Sequence, residues 1–332
     1  LKSLKFEKRT SYLFNKNSVL FLMPPSIGLG DAVEYALSIN SIRKKNLFTK
    51  IGIGFAEKYS YIFRNIFKFE DTYDYFISEA ELEKFKTIFH FSKELIKLKN
   101  QKYNRADIEK EVCDFFKTSI IRPFKKDISK INKLTIFPIA SSPIRTMNID
   151  LIKSIVSKFS KKINIEIVLD NLYPTSKYLI SKIHFNNVKY IYHNSIEELS
   201  NIVNTLEYGL FIDSGPLHLA KALNKNGIFI ETSVTHKVLL NKFENFVIIS
   251  NNFKSNYCEG PCGLTNLFNI KNVPGCFYTH QITKNDLKKI QNINALQRGR
   301  LKNDYDKFMK APVGCIKNID LNKILNTIEK IL

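Results

Sequence analysis

The sequence has no apolar run long enough to cross a bilayer, which takes about 20 residues in a helix. The longest apolar run near the start, residues 19–25, ends in two prolines. The first ten residues are polar and basic and lack the apolar stretch of a secretory signal. Cysteine is sparse and odd in number, at five in 332 residues, which argues against a disulfide-built fold. We therefore expect a cytoplasmic protein.

Acidic residues are scarce beside basic ones, 31 against 51, which gives a formal net charge of +20. Such an excess fits nucleic acid, an anionic membrane or acidic substrates as partners. The lysines are scattered without a block of five like charges, so we interpret most of the excess as compositional drift. We find no basic face with interleaved aromatic residues and expect no nucleic-acid partner. Peripheral contact with the anionic inner face of a membrane is an open alternative.

Apolar segments alternate with amphipathic helical patterns, which predicts parallel sheets covered by helices on both faces. The predicted strands are residues 19–23, 50–54, 73–77, 87–91, 134–138, 163–169, 188–192, 208–212 and 228–231. Two such series predict an α/β fold with two doubly wound domains, residues 1–130 and 131–332, joined near 125–133. The final amphipathic helix, about residues 318–332, is a candidate to pack back on the first domain. Residues 277–314 are polar with weak periodicity and form an unassigned excursion.

The loop between the first predicted strand and the first helix contains two glycines, Gly28 and Gly30. Glycine lets the backbone come close to another molecule. Asp31 follows at the predicted helix start and is a candidate general base for an acceptor hydroxyl. The alternative, which this segment alone favours, is that Asp31 only caps the helix. The pattern is not a dinucleotide fingerprint, because the third glycine is missing.

Residues 213–218, with the sequence DSGPLH, directly follow a predicted strand. Proline suits the first turn of a helix, and Asp213 or Ser214 suits its cap. Free backbone N–H groups at such a helix start attract a diphosphate. His218 lies one turn further on, where it is a candidate donor to a phosphate or a sugar hydroxyl. The alternative is an ordinary capped helix with a partly buried histidine.

A third loop, residues 138–146, follows the first predicted strand of the second series. Ser141, Ser142 and Thr146 offer hydroxyl groups, and Arg145 offers a charged fork that matches phosphate geometry. The alternative, favoured by this segment alone, is a solvated loop with a surface arginine.

Together, in this order and spacing, the three segments resemble glycosyltransferase family 9, the ADP-heptose:lipopolysaccharide heptosyltransferases and their relatives. DSGPLHLA at residues 213–220 is similar to that family's most recognisable motif. Residues 28–31, GLGD, look like its amino-terminal signature, and residues 140–145 look like the loop that opens its second domain. The resemblance implies a GT-B fold, in which two Rossmann-like domains face a central cleft, and no metal requirement.

The resemblance also implies roles for single residues. Asp31 is the implied catalytic base. The implied donor-binding residues are Arg145, which contacts the phosphate, and Ser141, Ser142, Asp213, Ser214, Gly215 and His218. The implied reaction is transfer with inversion from a nucleotide sugar, with ADP-heptose as one candidate, to lipopolysaccharide or another surface glycan. No cofactor is implied.

The chain departs from the family pattern after Asp31, where a proline is usual and this sequence has Glu34 and the residues that follow it. Glu34 therefore becomes a rival base, and Gly28, Gly30 and Glu34 are the acceptor-side candidates. A catalytically inactive relative that binds a nucleotide sugar or a glycan is the alternative function.

Other residues carry weaker signals. Four cysteines occur near the carboxyl end, Cys258, Cys262, Cys276 and Cys315. Their later gaps lack the tight spacing of a structural zinc site, so we favour structural or free thiols and expect no metal. Cys113 lies in a helical pattern and is predicted to belong to the core. His236, after a predicted strand, is a candidate to reach the donor's base or phosphate, unless it is simply exposed.

Overall fold

The computed structural model describes eight stretches of the chain. These are residues 17–25, 27–91, 107–123, 130–171, 174–241, 243–255, 259–265 and 312–332. In them, helices pack on two parallel β-sheets, so the fold is mixed α/β, as predicted. Cys258, Cys276 and most of the predicted excursion at 277–314 lie outside the described residues, as does most of the predicted domain boundary.

The first sheet has four parallel strands around a fully buried centre. They are β1 (Ser18–Leu22), β2 (Lys50–Gly54), β3 (Asp71–Tyr73) and β4 (Thr87–His90). Their order in the sheet is β3-β2-β1-β4, and β1 is buried because its middle residues are all apolar. The chain lays β2 and β3 on one side of β1 and β4 on the other. The loop after β1 therefore opens on a crevice of the kind that binds ligands in such sheets.

The predicted third strand at residues 73–77 is wrong, because β3 ends at Tyr73. The next residues pack over the sheet end instead of extending it. The Tyr75 hydroxyl donates to the Met23 carbonyl at 2.8 Å. The side chain of Ile77 lies over Gly54, with its Cδ1 3.0 Å from where a β-carbon on Gly54 would stand.

Helix α1 is the central helix of the first half. The helices here are α1 (Leu29–Lys44), α2 (Glu79–Leu82) and α3 (Ile108–Phe115), with a 3₁₀ turn at Glu57–Tyr59 and a π-helical segment at Tyr61–Ile66. Buried residues occur all around α1 rather than along one stripe. A surface helix has one apolar face, so α1 must be covered on more than one side.

The second sheet has six parallel strands. They are β5 (Lys133–Phe137), β6 (Asn164–Asp170), β7 (Val188–His193), β8 (Tyr208–Phe211), β9 (Gly227–Ile230) and β10 (Phe246–Ile249). Their order is β10-β9-β8-β5-β6-β7. The strand order reverses between β5 and β8, so the loops after these two strands flank a second ligand-type crevice.

The described helices of the second half range from one turn to three turns. They are α4 (Ile149–Phe159), α5 (Pro174–Ile180), α6 (Ile196–Asn204), α7 (Gly215–Ala222), α8 (His236–Leu239), α9 (Gly314–Lys317) and α10 (Leu321–Glu329). Side chains cap several of them, as the Asn148 carboxamide does when it accepts the Leu151 N–H at 2.7 Å. Ser195 caps α6, with its hydroxyl accepting the Glu198 N–H at 3.1 Å.

The final helix packs on the second domain, which corrects the idea that it returns to the first. Ile324 and Ile328 of α10 are fully buried in the apolar core beneath the second sheet. Glu329 pairs with Lys158 at 2.8 Å and with Lys162 at 3.3 Å. The apolar stripe of α10 thus finds its partner beside α4, and its charged edge meets two lysines there.

A single buried apolar cluster runs through both halves. It contains Ala32, Val33 and Ala36 of α1 together with Leu217 and Ala220 of α7. Helix α1 therefore lies between the first sheet and α7, which explains why it is buried on more than one side.

Candidate functional site

The amino-terminal ends of α1 and α7 touch across the interface between the two halves. A β-carbon on Gly30 would lie 2.6 Å from Cδ2 and 2.8 Å from Nε2 of His218. A β-carbon on Gly215 would lie 2.5 Å from Cδ2 of Leu29. The two glycines thus allow a contact that larger residues would prevent. The loops that follow β1 and β8 are therefore neighbours in the fold.

Asp31 lies in the first turn of α1, partly exposed. Its Oδ2 accepts the Gly28 N–H at 3.1 Å, so the capping role proposed as the alternative is present. Burial raises the pKa of the Tyr59 hydroxyl to about 12, and the nearby charge of Asp31 adds to the rise. Tyr59 in turn donates to the carbonyl of Ile27. Asp31 is thus held in the first turn of α1, at a helix end that favours its negative charge.

Arg145 is buried and paired with Asp213, so the simple reading of a surface arginine is wrong. Its Nη1 lies 2.8 Å from Asp213 Oδ2 and donates to the Asp213 carbonyl at 2.7 Å. Its Nε donates to the Thr265 carbonyl and its Nη2 to the Ser141 hydroxyl, both at 2.9 Å. The arginine thus ties together the loops after β5 and β8 and neutralises Asp213. Direct contact of Arg145 with a phosphate stays a prediction.

At the start of α7, the Ser214 side chain does not cap the helix. Ser214 directs its hydroxyl to the Ile212 carbonyl at 3.3 Å rather than to the amides of the helix. Ser142 is fully buried, whereas Ser141 is exposed and Gly215 is half-buried. The amino end of a helix carries partial positive charge and unsatisfied N–H groups. This end is therefore suited to an anionic group.

Five charged or ionisable side chains meet behind this point, and we call Glu34, Glu109, Arg122, His218 and Lys221 the interdomain ion cluster. Glu34 Oε1 lies 3.1 Å from His218 Nδ1 and 3.9 Å from Lys221 Nζ. Lys221 also contacts Glu109, whose Oε2 lies 2.6 Å from Arg122 Nη1. Two carboxylates from the first half thus meet two basic groups of α7.

Burial in this cluster changes the roles expected for Glu34 and His218. Both side chains are only 1% exposed. Glu34 reaches α7 rather than the crevice, so Asp31 is the better placed candidate base. His218 is more deeply buried than expected, and its ring joins the two halves. Burial also raises the pKa of nearby Asp107 to about 6, with the charges of Glu109 and Glu34 adding to the rise.

Sequence reasoning missed Glu109, Arg122 and Lys221. The only signal for Lys221 is its position three residues after His218, which places both on one face of α7. Nothing local marks the other two, because their partners come from the opposite half of the chain.

The close contact at Gly30 gives a testable prediction. Gly30→Ala places a methyl group against the His218 ring, and we expect it to lower the free energy of unfolding by about 1–3 kcal/mol, as overpacking usually does. Urea unfolding followed by circular dichroism measures the change. Gly28→Ser is the matched control, since a β-carbon there meets only Asp31 Oδ2 at an ordinary 3.5 Å and serine is a preferred cap. Equal stability of the two variants would contradict the contact.

Of the cysteines that the sequence singles out, Cys258 and Cys276 lie outside the described residues. Cys113 is buried, as predicted, and burial raises the pKa of its thiol to about 12. Cys262 is a partly buried free thiol. Within the described stretches, no group of three or more His, Cys, Asp and Glu residues could hold a metal ion. The same stretches contain no helix with the length and apolar character that crossing a membrane requires.

No family model and no curated protein sequence matches the chain. Solved structures do match it. A glycosyl transferase of family 9 from Veillonella parvula has a TM-score of 0.53 at 8% identity, covering 80% of this chain and 98% of its own. The iron-containing dodecameric glycosyltransferase TibC of enterotoxigenic E. coli gives 0.52 at 11% identity, covering 88% and 77%. The ADP-heptose lps heptosyltransferase II of E. coli gives 0.51 at 8% identity, covering 70% and 90%.

The chain has the GT-B fold. Its two parallel sheets correspond to the two Rossmann-like domains of that fold, as the sequence predicts. At these identities the similarity shows the fold alone. The chemistry of the site therefore depends on the residues of this chain.

Proposed function

We propose that this GT-B protein is an inverting glycosyltransferase that moves a sugar from a nucleoside diphosphate to a glycan acceptor. The observation that supports this most directly is the contact between the two helix starts, with the His218 ring against Gly30. A displacement at a sugar carbon needs a base on the acceptor side and positive potential around the leaving group. Asp31 offers the first, and the amino end of α7 offers the second.

In the proposed reaction, Asp31 takes the proton from an acceptor hydroxyl. The hydroxyl oxygen attacks the anomeric carbon from the face opposite the diphosphate, which inverts the configuration. The carbon–oxygen bond to the diphosphate breaks, and its electron pair leaves with the nucleoside diphosphate. The α7 amides stabilise the growing negative charge, and Arg145 keeps Asp213 from repelling it. In this reaction these groups stabilise the negative charge of the leaving diphosphate, and no metal is required.

The donor that we favour is ADP-heptose, and the acceptor a lipopolysaccharide or another surface glycan. The support is the resemblance of residues 213–220 to the heptosyltransferase motif, together with the fold shared with the E. coli ADP-heptose lps heptosyltransferase II. A structure of TibC with ADP-D-β-D-heptose has the same fold, with a TM-score of 0.51.

A thermal-shift screen against ADP-, GDP-, UDP- and CDP-sugars tests the proposal. A ligand present at 100 times its Kd stabilises the native state by about 2.7 kcal/mol, so the true donor should raise the Tm by several degrees. We expect ADP-heptose to give the largest rise of the four classes. The absence of any rise, with no transfer or donor hydrolysis, would contradict the proposal.

A nucleotide-sugar-binding protein without transfer activity is the second candidate. The burial of His218 and the pairing of Arg145 with Asp213 favour it, because both side chains already have partners within the protein. Donor binding without transfer or hydrolysis would distinguish it from the enzyme.

A further inference from the structure

Glu231 forms a hydrogen-bonded pair at the carboxyl edge of the second sheet with His236, which the sequence marks as a candidate to reach the donor. Glu231 follows β9 directly and is 3% exposed. Its Oε1 accepts the backbone N–H of His236 at 2.7 Å and lies 2.8 Å from His236 Nδ1. Its Oε2 accepts the Asn251 N–H at 3.0 Å. The carboxylate is thus fixed by three donors and holds both the backbone and the ring of His236.

The pair fixes which ring nitrogen is left for a ligand. An ionised carboxylate only accepts hydrogen bonds, so Nδ1 of His236 carries a proton. The other nitrogen, Nε2, lies on the side of the ring away from Glu231. The His236 side chain is 33% exposed, unlike the buried His218. When the ring is protonated, Nε2 donates a charge-assisted hydrogen bond to an anion.

Hydrogen bonds connect this pair to the crevice of the second sheet. Strand β9 lies next to β8, so the loops that follow them are neighbours. In the loop after β9, Ser233 donates to the Leu264 carbonyl. Arg145 donates to the carbonyl of the next residue, Thr265, at 2.9 Å. Residues 264 and 265 therefore connect the loop that carries His236 with the Arg145–Asp213 pair.

Helix α8, which begins at His236, also faces the first domain. Its Leu239 carbonyl accepts from Lys221 of the interdomain ion cluster. Asn241, just beyond α8, donates to Asp107 Oδ1 of the first half at 3.3 Å. His236 thus lies where the carboxyl edge of the second sheet approaches the first domain, which is the side on which a donor would bind.

We propose that His236, oriented by Glu231, binds the phosphate chain of the nucleoside diphosphate. The inference rests on the proposed function and adds a residue to the donor site. His236 contacts the ligand through Nε2, and Glu231 is a positioning residue that fixes the ring. A partly exposed ring N–H on a rigid support is the kind of donor that a diphosphate selects.

Calorimetry on the whole protein tests this, with ADP, GDP, UDP and CDP and their nucleosides as probes. We expect His236→Ala to weaken the best-binding diphosphate about tenfold, as loss of a charge-assisted hydrogen bond does. Binding of the matching nucleoside should not change, because it carries no phosphate. Lys237→Ala removes the neighbouring exposed charge and should have a much smaller effect.

Nitrogen-15 spectra of the His236 ring test the positioning role of Glu231. The parent protein should show a proton on Nδ1, and Glu231→Gln should give a mixture of protonation forms and weaker diphosphate binding. Unchanged diphosphate affinity in His236→Ala, or an equal loss for the nucleoside, would overturn this inference alone. Failure of the parent to bind any of the four diphosphates would overturn the proposed function with it.

Discussion

Replacement of Asp31 by asparagine is expected to lower the rate of sugar transfer about 10²–10⁴-fold, the usual contribution of a general base. Asparagine keeps an oxygen that can accept the Gly28 N–H, so the start of α1 should stay intact. It cannot take a proton from the acceptor. Donor binding should therefore persist while turnover is lost. Transfer kinetics with the donor found by the thermal-shift screen, together with calorimetry of the same donor, measure both quantities.

Asp74→Asn is the control for Asp31→Asn, since Asp74 is an exposed carboxylate on the carboxyl-end side of the same sheet. It should leave transfer nearly unchanged. Retained turnover in Asp31→Asn would remove Asp31 from the mechanism. Loss of donor binding in the same variant would mean that Asp31 maintains the structure rather than the chemistry.

Lys221→Met is expected to lower the free energy of unfolding by about 3–5 kcal/mol, because it removes one of the cations that offset the buried carboxylates of Glu34 and Glu109. Lys221 is 1% exposed and contacts both Glu109 and Glu34. Methionine fills a similar volume, so the loss reports charge rather than a cavity. Urea unfolding followed by circular dichroism measures it. Adding Glu109→Gln to Lys221→Met should restore part of the stability, since it removes one of the two buried carboxylates that Lys221 contacts.

Lys158→Met provides the comparison for Lys221→Met. Lys158 pairs with Glu329 at 2.8 Å, but both side chains are more than a third exposed. Water screens such a pair, so its loss should matter far less. Equal stability of the two methionine variants would show that the interdomain ion cluster does not hold the halves together.

The fold could be predicted from sequence where strands are buried on both faces. Such strands appear as short apolar runs, and β2 at Lys50–Gly54 has the predicted bounds. The third strand was misplaced because Tyr75 and Ile77 resemble strand residues in the sequence. In the structure they pack over the end of the sheet instead. Strand β10 was not predicted, and neither was the π-helical segment at Tyr61–Ile66.

The candidate site could be predicted only in part. Strand and helix order place residues 28–31 and 213–218 at sheet edges, and their meeting follows from the fold. The ion pairs do not follow, because Lys221 and Glu109 are 112 residues apart and no local pattern encodes such a partner. The pairing of Arg145 is equally hidden, because its local sequence suggests a surface group. Its partner Asp213 is 68 residues away.

The sharing of α1 between its own sheet and α7 has a consequence for protein engineering. Anyone who grafts a foreign donor-binding half onto this chain must treat α1 as belonging to both modules. A cut near residue 130 would remove α7 from Ala32, Val33 and Ala36. The amino-terminal fragment would then expose an apolar surface on α1. A working chimera would need a foreign carboxyl-terminal half whose helix packs against these residues. Shape complementarity to α1 therefore limits the choice of that half before its sugar specificity does.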